Sequence, residues 1–288
     1  MKHKRSSSQK KHNNSYARSE RGGKNSSSKG LKVPPGTALV MGRHCISEIL
    51  KYESARFREV FVAERRDSGE AVDGRRAELI NALKELGISV SELPKHELTD
   101  LVSSESHQGF VGLVSVRPVL SLDALVARVE DQQEIGILAL DGVLDPQNMG
   151  AILRAAECFG VSAVLFSRNR SADVGPVIAK ASVGASELID LCPVGNLHQA
   201  IERLKAVGAW SIGAVVSPEA KDLASFESPE KWVLVMGSEG SGIQRLIGER
   251  LDFSIYIPMQ GRISSLNVSQ ATAVFLSRLS ESATAVHS

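Results

Sequence analysis

Apolar positions in the second half of the chain fall in short blocks separated by amphipathic stretches. Ile135–Leu140 is an apolar run, Asn148–Phe159 repeats apolar residues at helical spacing and stops at Gly160, and Ala163–Ser167 is apolar again. The pattern predicts strand, helix, strand. It continues with helices over Pro176–Glu187 and Asn196–Val207, the second stopped by Gly208, and a strand over Trp210–Val216. A strand at Trp232–Met236, a helix near Ile243–Leu251, a strand at Phe253–Ile257 and a helix over Val268–Leu279 complete the series. Strands alternating with helices point to an α/β fold with a mostly parallel sheet covered on both faces. Ahead of it, from Thr37 to about Arg117, the pattern is shorter and mixed. Arg58–Glu64 alternates like a strand, Arg76–Leu86 is helical and closed by Gly87, and Ile88–Leu93 and His107–Val116 read as strands. This predicts a small α/β unit, joined to the larger one through Pro118 and a helical stretch at Ser121–Glu130.

With 288 residues, 42% hydrophobic and 23% charged, the chain has material for about two ordinary cores. Its apolar runs are far below the roughly 20 residues that cross a bilayer, and its basic start lacks the apolar stretch of a secretory signal. The expectation is a cytoplasmic protein with no membrane partner. Cys45, Cys158 and Cys192 are odd in number and form no CxxC pair, and the seven histidines form no HExxH. Buried thiols are expected, and no metal site.

Charge changes the picture at one end. Residues 1–32 hold ten Lys/Arg against the single acid Glu20, whereas the rest of the chain is net acidic. Eight serines and almost no apolar side chains fall among the first thirty residues, so the tail cannot bury enough surface to offset its ordering entropy. It is expected to be disordered. Two readings stay open: an arm that gathers a polyanion by counterion release, or a solubilising extension.

In a parallel sheet, ligands bind beyond the carboxyl ends of the strands. The loops to weigh therefore follow Leu140, Val216, Met236 and Ile257. The loop Gly237-Ser-Glu-Gly240-Ser-Gly242 lies between a strand and a helix, but its spacing is not that of a dinucleotide or P-loop motif. Asp141-Gly-Val-Leu-Asp145-Pro146-Gln-Asn148 leads into a helix carrying Arg154, and Pro258–Asn267 is dense in small polar groups. Each alone reads equally as a capped turn. Together at one sheet edge they form a candidate site.

The runs LDGVLDPQNMGAILRAAECFG, LVMGSEGSG and IPMQGRISSLNVSQA resemble, in order and spacing, the three motifs of the SpoU or TrmH-type RNA ribose 2'-O-methyltransferases. VMGRHCISEIL and SHQGFVG resemble the L30e-like RNA-binding domain that precedes the catalytic domain in the family's 23S rRNA guanosine enzymes. The resemblance implies a SPOUT-type fold with a C-terminal trefoil knot. The expected division is a basic tail over 1–36, a substrate-binding domain over 37–117, a linker over 118–132 and a methyltransferase domain over 133–288. It further implies S-adenosylmethionine as cofactor, held at Gly237, Ile257 and Leu266 with Gly213, Ala214, Gly240 and Ser265 as neighbours, and a homodimer.

The same resemblance implies a catalytic set of Asn148, Arg154, Glu239, Ser265 and Asn267. A guanidinium is essentially always protonated, so stabilising the developing oxyanion is physically easier for Arg154 than serving as the base. Glu239 is open between base and structural support. Arg43, His44, His107, Gln108 and Gly109 read either as RNA contacts in the first domain or as an ordinary helix start and a β-turn, and Arg168, Arg170, Lys180 and Arg262 are candidate RNA contacts in the second. The leading expectation is methylation of a guanosine ribose in 23S rRNA. A tRNA guanosine 2'-O-methyltransferase, an antibiotic-resistance rRNA methyltransferase and a non-catalytic ribosome-assembly factor are the alternatives.

Overall fold

The computed structural model describes residues 33–64 and 74–284. The basic tail lies outside the described residues except for 33–36, where Thr37 N donates to Pro34 O at 3.2 Å and the chain turns into the first strand.

The first domain runs β1 (Thr37–Met41), α1 (Arg43–Glu53), β2 (Phe57–Ala63), α2 (Gly74–Glu85), β3 (Ser89–Leu93), α3 (Lys95–Val102) and β4 (Phe110–Ser115). Its four-stranded sheet has the order β1-β4-β2-β3. One face buries Val60 and Val62 against Ile46 and Ile49 of α1 and Leu79 and Leu83 of α2, while the other packs Phe61 and Val111 on Leu98 of α3. Three elements here exceed what the hydrophobic pattern marked: β1, α1 and α3. The start of α1 is silent in sequence because Gly42 supplies no capping side chain. The strand expected over His107–Val116 begins only at Phe110, since Gln108 and Gly109 adopt positive φ of 54° and 77° and turn the chain.

The second domain runs α4 (Leu122–Asp131), β5 (Ile135–Asp141), α5 (Pro146–Cys158), β6 (Ala163–Ser167), α6 (Pro176–Ala181), β7 (Leu191–Val194), α7 (Leu197–Lys205), β8 (Trp210–Ala214), β9 (Lys221–Asp222), β10 (Lys231–Gly237), α8 (Arg245–Gly248), β11 (Phe253–Tyr256) and α9 (Val268–Thr284). The seven strands form one sheet, β7-β6-β5-β10-β8-β11-β9, and every neighbouring pair is parallel. Side chains alternate across it. Leu138, Leu140, Leu234 and Met236 face α5 and α9, whereas Ile137, Ala139, Val233 and Val235 face α4 and α7. Late-arriving β10 is inserted between β5 and β8, which brings its carboxyl end beside that of β5, with Gly237 opposite Asp141.

Several expectations change. The segment taken as a linker carries α4, whose Leu125 and Val129 are fully buried in the second-domain core. The helix expected over Pro176–Glu187 stops at Ala181. Val183 and Gly184 take φ of 57° and 92°, and a separate 3-10 turn spans Ala185–Glu187. The helix near Ile243–Leu251 is only the four residues of α8. Cys45 and Cys192 are buried as expected, but Cys158 at the end of α5 is exposed. Burial pushes the Cys45 thiol up and raises Cys192 to about 11.

Candidate active site

Three of the loops at the carboxyl edge of the second sheet meet in one hydrogen-bonded group. Asp145 caps α5 by accepting from Asn148 N at 2.9 Å, with Pro146 in the first turn, which places Asn148 at the helix entrance. Asn267 does the same for α9: its Oδ1 accepts from Ser269 N at 2.8 Å and from Ser269 Oγ at 2.6 Å. The Asn267 amide nitrogen then donates to Asn148 Oδ1 at 2.9 Å and to Glu239 Oε1 at 2.5 Å. Asn148 Nδ2 donates to the same Glu239 oxygen at 3.3 Å, and Val268 N approaches it at 3.5 Å. A carboxylate thus sits at the entrances of two helices, where the partial positive ends favour it. Only one of its oxygens is occupied by these donors.

The loop that carries Glu239 is tightly folded. Ser238 N and Gly242 N exchange bonds with Gly242 O and Ser238 O at 3.2 and 3.0 Å, and the Ser238 and Ser241 hydroxyls meet at 2.7 Å. A Cβ on Gly237 would lie 2.2 Å from the Gly242 carbonyl carbon, so only glycine fits there. Gly240, by contrast, faces open space. Beneath the loop, the buried Asp141 carboxylate accepts from Gln244 N and Nε2 at 2.6 and 2.5 Å. Sequence reasoning gave Asp141 and Gln244 no role.

The remaining cofactor candidates surround this loop. Ala214 and Ile257 are half-buried at the ends of β8 and β11, while Ser265 and Leu266 are exposed. Gly213 is buried, and a Cβ on it would lie 2.2 Å from Leu251 Cδ1, so its missing side chain makes room for packing. Among the described residues, the main chain of 258–266 makes no hydrogen bond with any other segment.

Arg154 is exposed on α5 and makes no hydrogen bond or ion pair among the described residues. Six residues beyond Asn148, it projects about 120° round the helix from it. It is not part of the Asn148–Glu239–Asn267 group.

The candidate RNA contacts separate into distinct places. Arg170 reaches the site edge, its Nη2 3.5 Å from where a Cβ of Gly142 would stand, beside Ser238. Arg262 is exposed in the 258–267 loop. Arg168 is tied down, its Nε donating to Pro193 O at 3.1 Å. Around Gly42, Arg43 N donates to Gln108 Oε1 at 3.2 Å, and Lys180 from the second domain lies 3.2 Å from the missing Cβ. His44 is exposed next to them. A groove of about 620 Å³ runs on from there between α1 and α2, lined by Arg43, His44, Lys51 and Arg75 over Leu50 and Leu79.

His107 is placed differently from its expected role. It is fully buried, its Nδ1 accepts from Gly109 N at 3.0 Å, and its Nε2 lies 3.2 Å from Thr99 Oγ1. Burial, aided by Lys95 and Lys180 against Glu105, lowers its pKa. It holds the turn that presents Gln108 and Gly109. No group of His, Cys, Asp and Glu able to hold a metal occurs among the described residues.

Comparison with known proteins matches this layout. The sequence pattern of the SpoU rRNA Methylase family covers residues 136–277, and that of the RNA 2'-O ribose methyltransferase substrate-binding domain covers 39–118. The chain is 37% identical over 238 residues to the 23S rRNA (guanosine-2'-O-)-methyltransferase RlmB of Coxiella burnetii, covering 82% of this chain and 92% of that one. The chain belongs to the SpoU rRNA methylase family. The RlmB of Pseudomonas aeruginosa is 36% identical over 242 residues, 82% of this chain and 93% of its own.

Solved SpoU-type structures share the fold. A TrmH-family chain from Porphyromonas gingivalis superposes with a TM-score of 0.64 at 26% identity, covering 85% of this chain and 89% of that one. The SpoU methyltransferase AviRb from Streptomyces viridochromogenes, solved with AdoMet, gives 0.66 at 20% identity over 85% and 90%.

Proposed function

We propose that this protein transfers a methyl group from S-adenosylmethionine to the ribose 2'-hydroxyl of a guanosine in 23S rRNA, as a cytoplasmic homodimer. The observation that carries the reading is the junction of Asn148, Glu239 and Asn267, formed by three loops far apart in the chain. It stands in a chain resembling 23S rRNA guanosine methyltransferases over more than four-fifths of its length. The same reading divides the chain into a substrate-binding domain over 37–117 and a methyltransferase domain over 133–288, with α4 of the 118–132 segment packed into the core of the second. So does a trefoil-knotted path, supported by the insertion of β10 and the packing of α9 on α5.

The residues present fit the cofactor. Main-chain N–H and C=O groups over 258–266, which bond to no other segment among the described residues, suit recognition of a purine edge, and Gly237 and Gly240 let backbone approach closely. Bound S-adenosylmethionine supplies an electrophilic sulfonium methyl. The chain must align a ribose oxygen with it, help its proton leave and exclude water. In this reading Glu239 is a support that locks the two asparagines, because three donors converge on one of its oxygens. Arg154, with no hydrogen bond or ion pair among the described residues, is the group available to a phosphate or a developing oxyanion. Ser265 stands in the same exposed loop as Leu266.

RNA enters across the Gly42 cluster and the basic groove between α1 and α2, toward Arg170 at the site edge. Leu144, Val216 and Ile263 are 65%, 84% and 79% exposed, and such apolar side chains beside a site are suited to cover by a second subunit.

Incubating the protein with labelled S-adenosylmethionine and unmodified 23S rRNA tests the proposal, with 2'-O-methyl positions mapped afterwards. One methylated guanosine supports it. Label on tRNA alone sinks it, and RNA binding without transfer returns the chain to an assembly factor. Sedimentation as a monomer ends the homodimer reading.

A further inference from the structure

Segment 176–191, between β6 and β7, is gripped from both sides. Below, α5 and α6 touch at the backbone: a Cβ on Gly150 would lie 2.4 Å from Ala181 Cβ and 2.9 Å from Ser182 N. Above, Ala179 of α6 is 1% exposed and belongs to the core of the first domain, among Cys45, Ile46 and Ile49. The Gly184 position rests under α1, where a Cβ would meet Cys45 O at 3.1 Å. That turn is strained, because Val183 is β-branched and holds φ of 57°.

Arg56 fastens the arrangement. Its Nε and Nη2 donate to Ser115 O at 3.1 and 3.0 Å within its own domain. Its Nη1 donates to Glu187 O at 2.9 Å, and Nη2 pairs with Glu187 Oε2 at 2.6 Å across the domain boundary. The two side chains are only 11% and 16% exposed. Arg117 adds a bond to Asp190 Oδ1 at 2.8 Å, and Leu120 N donates to Leu191 O at 2.9 Å, so the chain leaving the first domain is tied to the same segment.

We propose that segment 176–191 is a bracket between the domains, with Arg56 and Glu187 as positioning residues. The bracket holds the Gly42 cluster at a fixed offset from the Asn148–Glu239–Asn267 site. The first domain then serves as a ruler that selects which ribose of a bound RNA reaches the site. The proposal rests on the RNA methyltransferase reading. Two contact areas in fixed geometry act on one ligand at high effective concentration, and a loosened joint forfeits that gain without touching either area.

The test compares full-length protein with its Arg56→Lys and Glu187→Gln variants, using hydrogen exchange, S-adenosylmethionine binding and steady-state methylation of an rRNA fragment. Arg56→Lys keeps a charge and is the milder change, which guards against loss of folding in the other. Amide exchange over α1 and 176–187 is expected to quicken together, with cofactor affinity unchanged. KM for the fragment should rise about tenfold with kcat within about twofold, the pattern of lost uniform binding, and methyl groups should spread to neighbouring riboses. Variants that methylate the same single ribose with unchanged KM overturn the ruler. Unchanged exchange over both segments overturns the bracket. If the parent protein methylates no RNA, the functional reading has failed, and exchange still decides the bracket.

Discussion

The Asp141 carboxylate accepts both the main-chain N–H and the side-chain amide of Gln244, 103 residues later. The contact follows from the sheet, where β5 and β10 are neighbours and Asp141 is paired with Gly237. One buried acid therefore closes the loop that carries Glu239. In Asp141→Ala, both Gln244 donors lose this charged acceptor, at a cost of about 1.5–3 kcal/mol. Thermal unfolding should shift down and S-adenosylmethionine binding should weaken. Unchanged values for both would show that the loop holds its shape without this contact.

Glu239 is predicted to be replaceable by its amide. Glutamine keeps an oxygen for Asn148, Asn267 and Val268, so Glu239→Gln should retain turnover within about tenfold, whereas loss of a general base costs about 100-fold or more. A drop of the larger size, at intact cofactor affinity, would make Glu239 the proton acceptor.

Arg154→Ala should reduce turnover by at least about 100-fold, the scale of removing one donor to a developing oxyanion. Cofactor affinity should stay near that of the parent. Near-normal turnover would remove Arg154 from the catalytic set.

His107 makes stability depend on pH. Its folded pKa is lowered, so the folded state resists a proton that the unfolded chain takes up near its ordinary value of about 6.5. The contribution is intact above that value and is lost as pH falls through it toward the folded pKa. The melting temperature should therefore drop between about pH 7.5 and 5.5, and drop less in His107→Asn, which keeps an acceptor for Gly109 N. Equal drops in both proteins would refute this linkage.

Removing residues 1–32 tests the two readings of the basic tail. If the tail gathers RNA, binding should weaken and the slope of log affinity against log salt should flatten. An unchanged slope would leave it a solubilising extension.

Much of the site was readable locally. Asp145-Pro146 and the run before Val268 are helix entrances, and entrances of this kind depend on residues within one turn. Within the loops it was the resemblance to the SpoU motifs, and not the local pattern, that singled out Asn148, Glu239 and Asn267. The second sheet was equally readable, since β5, β6 and β10 are apolar blocks buried on both faces.

Other features have no local signature. The left-handed turn at Val183 contradicts the preference of its own side chain, and only packing between α5 and α1 accounts for it. His107 looked like a surface contact because burial is a property of the surrounding core. Arg56 and Glu187 are 131 positions apart, and Asp141 and Gln244 are 103 apart. Periodicity, caps and glycine turns are short-range, so the sequence by itself determined the strands, the loops and the residue types offered at the sheet edge. Which loops meet, which acid is buried beneath them and how the first domain is seated depend on strand order and side-chain packing. Those were decided by the tertiary structure alone.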